Sequence, residues 1–295
     1  MPPIAGTSQG MPERIVTQVG AHQLTLSHLD KPMWPNFSKA EAINYYLRIA
    51  EVLIPHVRRR PASFLRCPAG LEGPRFFTHT ADTLHLPSWI ATAAKGGRMH
   101  VALNDPETLI AVVNAYCLEI HTPQWTAETG PDVHDRLVFD LDPGEDADLA
   151  TCCRVALLLR RELEADGLTV FPATSGGKGL HLTVPLNPPW LADDAIGYAR
   201  DIARRMADTH RDSTTYKRGP AARAGGKVLI DWEQNRSSAT TSALYALRLT
   251  QSYPGVSTPL AWREVQSGDP AALTFTPANV LERVSRLGDL GASAI

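Results

Sequence analysis

The chain has 295 residues, 43% of them hydrophobic and 20% charged, with a formal net charge of −2. That length can bury a substantial core, as one large domain or two modules. A balance so near neutral excludes a uniformly basic coat, so any nucleic-acid binding must come from local patches.

Residues 1–20 mix Pro, Gly, Ser and Gln without an apolar period, which predicts a flexible lead-in and a folded domain over 21–295. A strand end and a Pro-rich loop, HLDKPMWPNF, come next. Ser38 followed by Glu41 then forms a capping box for a helix in which Ile43, Tyr46, Ile49, Ala50 and Leu53 recur at helical spacing. Lys31 and Lys39 flank the loop. Lys39 falls in the first helical turn, where the macrodipole disfavours a cation unless something anionic answers it. Arg58, Arg59, Arg60 and Arg66 make a basic patch, for which solvated surface charge is the plainer reading. Phe76 and Phe77 are adjacent, so a strand would turn one to the core and expose the other, where an aromatic near arginines can stack on a base. Two half-buried hairpin aromatics are the plain alternative.

Asp105 and Pro106 offer an N-cap and an N1 proline for a second helix. In LEIHTPQW, Glu119 and His121 take the polar face of a strand that Pro123 ends, and a lone histidine there is more often structural than catalytic. The stretch RLVFDLDP, residues 136–143, places Asp140 and Asp142 on one strand face and Leu137, Phe139 and Leu141 on the other. Two adjacent carboxylates are tolerable at neutral pH with a cation between them, and magnesium or manganese prefers such oxygen ligands. Against this stands ordinary Asp-Pro-Gly turn chemistry.

Asp146 or Asp148 can cap a third helix, with Leu149, Cys152, Ala156, Leu159 and Leu163 as its core stripe and Gly167 near its end. The hairpin loop SGGKG then frees backbone N–H groups for an anion nest, and Ser175, Lys178 and His181 can converge on one phosphate-bearing ligand. The loop lacks the spacing of a Walker A motif. An amphipathic helix over about 193–209 precedes a basic loop with Lys217, Arg218, Arg223 and Lys227, and KVLIDWEQN adds a third strand-borne carboxylate, Asp231. Arg248 ends a later strand-like run. Cys67, Cys117, Cys152 and Cys153 show no C-x-x-C spacing, so neither a zinc site nor a disulfide framework is expected. A sequence with no apolar h-region and no run near 20 apolar residues predicts a soluble cytoplasmic protein with no membrane partner.

As an ordered set, RLVFDLDPGE, TSGGKGLHLTVPL and KVLIDWEQN with T-T-x-A-x-Y-x-L-R resemble the polymerase domain of bacterial ligase D, in the archaeo-eukaryotic primase superfamily. The likeness runs from about residue 24 to the end and takes in DKPMWP, AYCLEIHTPQW and VSTPLAWREV. It implies an α+β primase-like fold of largely antiparallel sheets flanked by helices, with an RRM-like catalytic module and a site in the cleft between two packed modules. No ligase or nuclease part accompanies these motifs, so a stand-alone primase-polymerase is implied, nucleoid-associated and acting in non-homologous end joining or gap filling. By resemblance Asp140, Asp142 and Asp231 bind two Mn²⁺ or Mg²⁺ ions. Ser175, Lys178, His181, Arg248 and His121 surround the incoming nucleoside triphosphate. Lys31 and Lys39 hold a DNA 5′-phosphate, and Phe76 and Phe77 stack near the templating base. Gapped or broken DNA, a separate DNA ligase and an end-binding protein are the implied partners. Thr78 and His79 stand where the family commonly carries a lysine, and the loop YKRGPAARAGGK is longer than usual. The rivals are a catalytically silent end-binding, ligase-recruiting module and, less well supported, a two-metal nuclease.

Overall fold

The computed structural model describes residues 14–249 and 253–295. It opens on a hairpin of β1 (Arg14–Val19) and β2 (His22–Ser27), which corrects the expected lead-in. Residues 1–13 lie outside the described residues, but Arg14–Val19 is strand. Its polar sequence hid it, since only Val19 of β1 is buried, while β2 sends Leu24 and Leu26 into the core.

Two short strands, β3 (Pro32–Trp34) and β4 (Phe37–Ser38), lead into α1 (Lys39–Val57). Ser38 and Glu41 close the expected capping box, and Tyr45, Tyr46, Ile49 and Leu53 are buried on its inner face. Next come β5 (Ser63–Arg66), β6 (Phe76–Thr78), the hairpin β7 (Thr92–Lys95) and β8 (Arg98–Val101), then α2 (Pro106–Asn114), capped by Asp105, and β9 (Cys117–Thr122). The middle of the chain gives β10 (Val133–Pro143), α3 (Leu149–Ala165), β11 (Phe171–Thr174), β12 (Leu180–Leu191), α4 (Ala192–Thr209), β13 (Thr214–Thr215), α5 (Pro220–Arg223) and β14 (Val228–Asp231). Short strands β15 (Thr241–Ser242), β16 (Leu247–Arg248), β17 (Gly255–Val256) and β18 (Thr258–Pro259) precede α6 (Trp262–Ser267) and α7 (Pro277–Leu287).

Two sheets position the chemistry. The larger has the order β13-β14-β10-β12-β11-β18, and the smaller β15-β9-β5-β6. All their pairings are antiparallel except β13 with β14, so the fold is α+β with largely antiparallel sheets, as the sequence predicts. On β10, Leu137, Phe139 and Leu141 are fully buried in one core with Cys152, Ala156, Leu159 and Leu163 of α3. Burial of such side chains stabilises by roughly 1.5–3 kcal/mol each. That anchoring leaves the other face of β10 free for polar groups.

Of the two arrangements expected for the paired phenylalanines the structure has the plainer one: Phe76 and Phe77 are both about half exposed, at 48% and 46%, rather than one inside and one outside. They lie on the edge strand of the smaller sheet, where neither face is fully covered. Among the described residues no helix is long and apolar enough to cross a membrane.

Candidate active site

The register of β10 sets the centre. Asp140 pairs with His181 of β12 on one side and with Asp231 of β14 on the other, so three side chains on neighbouring strands share one sheet face. Asp142 joins that face two residues further along. His181 Nε2 lies 3.5 Å from Asp140 Oδ1. Burial first, then the charges of Asp231 and Asp142, push the Asp140 carboxyl up to about 7. Its two neighbours are already answered by cations: Arg218 donates to Asp231 at 2.7 Å and also meets Glu233 at 2.8 Å, while Arg223 donates to Asp142. Both arginines belong to the basic loop. Among the described residues no group of three or more His, Cys, Asp or Glu stands ready-made as a metal cage. The donor chemistry nonetheless fits divalent cations, because three carboxylates crowd one corner and cationic groups already sit on the outer two.

A second side of the site comes from the SGGKG hairpin. Ser175 N donates to Gly179 O, and the Ser175 hydroxyl accepts from Gly179 N at 3.2 Å. Two glycines are dictated by packing. A Cβ on Gly179 would stand 2.2 Å from Leu141 O, and Gly176, at φ +74°, would bring one within 2.7 Å of Ser257 N. The bare backbone thus presses against β10 and leaves Lys178 exposed at the tip.

The smaller sheet closes the opposite wall. Glu119 is buried, with Oε2 3.1 Å from His121 Nε2 and 3.2 Å from Arg248 Nε, and its Oε1 accepts from Leu249 N at 2.6 Å. Burial alone would raise its carboxyl, but His121 and Arg248 outweigh it and hold Glu119 down to about 2. Arg248 donates onward to Ser175 O at 3.0 Å and to Ser242, which ties the two sheets together. His181 is pushed down to about 3 by burial and then by Arg248 and His121. His121 is lowered too, chiefly by burial. Both imidazoles are therefore neutral at pH 7 and offer hydrogen bonds rather than charge.

One cleft of about 440 Å³ is lined by His121, Asp140, Asp142, Ser175, Lys178, His181 and Arg248, seven of the residues singled out from sequence. Asp231 sits beside Asp140, just outside that lining. Phe77 adjoins the cleft, its ring 5.3 Å from that of His121. Lys31 and Lys39 form a separate corner. Lys39 is fully buried, donates to Ser27 O at 2.6 Å and stands 4.3 Å over the Tyr116 ring; Lys31 donates to Pro68 O at 2.5 Å and stands 5.4 Å from the same ring. Burial and the charge of Lys31 push Lys39 down to about 8.

Sequence reasoning missed Glu119, Ser242, Arg218 and Arg223 as site residues. Glu119 read as an outward strand residue, although its position two before His121 marked it as sharing that face. Arg218 and Arg223 read only as part of a basic loop, and only β14 folding beside β10 brings that loop to the carboxylates.

The comparisons with known proteins accord with this geometry. The family described as LigD, primase-polymerase domain, matches residues 38–291. The chain is 37% identical over 281 residues to the multifunctional non-homologous end joining DNA repair protein LigD of Mycobacterium tuberculosis, and the match covers 91% of this chain and 36% of that protein. It is 28% identical over 269 residues to the bifunctional non-homologous end joining protein LigD of Bacillus subtilis, covering 90% of this chain and 43% of that one. The chain thus spans well under half the length of these curated relatives. Among solved structures, the polymerase domain from Mycobacterium tuberculosis ligase D in complex with DNA superposes with a TM-score of 0.85 at 36% identity, over 92% of this chain and 97% of that one.

Proposed function

Because the chain belongs to the LigD primase-polymerase domain family, we propose that it is a template-directed nucleotidyltransferase that adds nucleotides to primer ends at DNA gaps and breaks. The observation that carries this reading is the single cleft in which paired carboxylates face a glycine-rich phosphate loop, a lysine and an arginine. In the reaction the primer 3′-hydroxyl loses its proton to solvent as its oxygen bonds to the α-phosphorus, the bond from that phosphorus to the α–β bridging oxygen breaks, and pyrophosphate leaves with the electron pair.

This chain's residues divide that work. Lys178, Arg248 and the amides around Ser175 meet the triphosphate charge, while neutral His181 offers an N–H to its oxygens and His121, whose one N–H is held by Glu119, lines the nucleotide pocket beside them. Asp140, Asp142 and Asp231 would hold two divalent ions, Mn²⁺ or Mg²⁺. Such ions stabilise the attacking and leaving oxygens together when bound. Arg218 and Arg223 would yield those carboxylates as the ions enter. Phe76 and Phe77 stack on the template near the templating base. Lys31 and Lys39 hold a 5′-phosphate across the gap. From residue 14 onward we read the chain as one primase-polymerase unit of two packed modules, working at the bacterial nucleoid in the cytoplasm beside an end-binding protein and a ligase.

Primer extension by wild type and Asp140→Ala, in Mg²⁺ and in Mn²⁺, tests the reading. Removing a stabiliser of developing charge is expected to lower the rate by about 100-fold or more. Equal activity of the two proteins would overturn the site, and the absence of triphosphate consumption by wild type would favour a silent end-binding module.

A further inference from the structure

The smaller sheet continues past the nucleotide cleft. Its register sets Ser242, His121 and Ser63 in one row across β15, β9 and β5. The pairing of Phe64 with Thr78 carries the row on to His79, whose Nδ1 lies 3.2 Å from Ser63 Oγ. Three strand spacings separate the ends of the row, about 14 Å, the length of about four stacked nucleotides. Phe77 flanks it, with its ring 4.8 Å from His79 and 5.3 Å from His121.

At the far end stands the β7–β8 hairpin. His100 is buried there with its ring 6.0 Å from His79 and its Nδ1 3.1 Å from Ala62 O. Arg98 is exposed at the turn. Lys95 is part-buried with its ammonium 6.0 Å from the Trp125 ring centroid. Neither Lys95 nor Arg98 has a carboxylate within ion-pair distance among the described residues. Across the hairpin Lys95 pairs with Arg98 and Ala93 with His100, so Lys95, Arg98 and His100 share the face from which His100 meets His79. A cluster of this kind repels itself unless an anion joins it.

We propose that His79, Lys95 and Arg98 hold a backbone phosphate of the template strand where that strand runs off the Phe76–Phe77 platform. The inference rests on the polymerase reading above and assigns its template path. Two cations reaching in from the facing hairpin supply the charge that the strand itself lacks, and the His79 ring adds a hydrogen bond to the same phosphate. Burial has pushed Lys95 down to about 8, and a bound phosphate favours its charged form.

The test is fluorescence anisotropy on two primer–templates with 5′-hydroxyl ends, which keep the 5′-phosphate corner out of the measurement. One has a single-nucleotide template overhang and the other an overhang of five. Wild type is expected to bind the longer overhang more tightly. Lys95→Ala and Arg98→Ala should each weaken that complex by about 5–10-fold and lower its salt slope by about 1, with less than about a twofold effect on the short overhang. Lys95→Arg should restore the affinity and flatten the loss that wild type shows above about pH 8, since arginine stays charged. Equal losses on both overhangs would overturn the proposal as general electrostatics. So would a raised KM for nucleotide with unchanged overhang discrimination, which would give the phosphate to the triphosphate instead. Circular dichroism melts of each variant exclude misfolding. Extension of the one-nucleotide overhang by wild type reports on the polymerase reading separately, so extension without overhang discrimination sinks the phosphate site alone.

Discussion

The carboxylate corner at the end of β10 and the lysine corner beside β2 are opposites in charge and alike in predicament. Asp140 is crowded by Asp231 and Asp142 and pushed up to about 7. Lys39 is buried beside Lys31 and pushed down to about 8. In each case burial and a like charge drive the group toward its neutral form. Each corner is also eased by substitutes from within the chain, the arginines Arg218 and Arg223 in the first, the carbonyls of Ser27 and Pro68 and the Tyr116 ring in the second. Tyr116 adopts φ +67° to serve there, an uncommon conformation for a bulky residue. What the pair teaches is that a site awaiting a ligand shows as surplus charge, and that its sign names the ligand's. On the function proposed above, one corner is set for cations and the other for a phosphate.

The comparison breaks most sharply at Asp140. Replacing it with Asn should remove catalysis, about 100-fold or more, yet stabilise the metal-free protein. The sign follows from proton linkage. A carboxyl raised to about 7 in the folded state binds a proton that the unfolded chain has already released above about pH 4, so stability falls as pH rises from about 4 to 7. The Asn variant escapes that loss and is expected to melt about 2 °C or more above wild type at pH 8. Added Mg²⁺ or Mn²⁺ should raise the melting temperature of wild type by mass action and leave the variant nearly unmoved. A variant that melts lower than wild type in the absence of metal would contradict the account of the corner.

Next in size is Glu119, the residue through which the cleft is tied to the smaller sheet. Glu119→Gln keeps the shape and removes the charge that holds Arg248 and His121. An expected loss of about tenfold in kcat, a fraction of a direct electrostatic contact, should come with a smaller change in KM. Asp restores the charge but not the reach, so Glu119→Asp should recover little. A variant with unchanged kcat would make Glu119 a packing residue only.

Much of this was legible in the chain because its signals are local. The Ser38–Glu41 capping box, the Asp105–Pro106 helix start and the alternation around Asp140 and Asp142 each depend on residues a few positions apart. The joining of β10, β12 and β14 into one carboxylate–histidine row is not local; the residues alone gave only the face of each strand, and the resemblance only the grouping of the carboxylates. Arg218 and Arg223 were opaque because a basic loop has no period to fix its direction. Strand β1 was opaque because its exposed face leaves almost no apolar pattern. Lys39 was half legible: its awkward place in the first helical turn was visible, but not its complete burial, which needs β2 and Tyr116 to fold over it.

The lysine corner supplies the smallest effect, with two opposite pH slopes. A lysine lowered to about 8 gives up its proton in the folded state while the unfolded chain, near 10.4, still holds one. Stability should therefore rise between about pH 8 and 10 through this group, whereas the capacity to hold a 5′-phosphate needs the charged form and should fall over the same range. Lys39→Met removes both slopes. On gapped DNA with and without a 5′-phosphate, wild type is expected to favour the phosphate by about 3–10-fold near pH 7, the effect of one charge contact, and the Met variant by less than about twofold. A wild type with no phosphate preference at pH 7 would leave the corner's positive charge without the anion that its geometry calls for. The tie between the two corners would then fail on this side, while the Asp140 result stood.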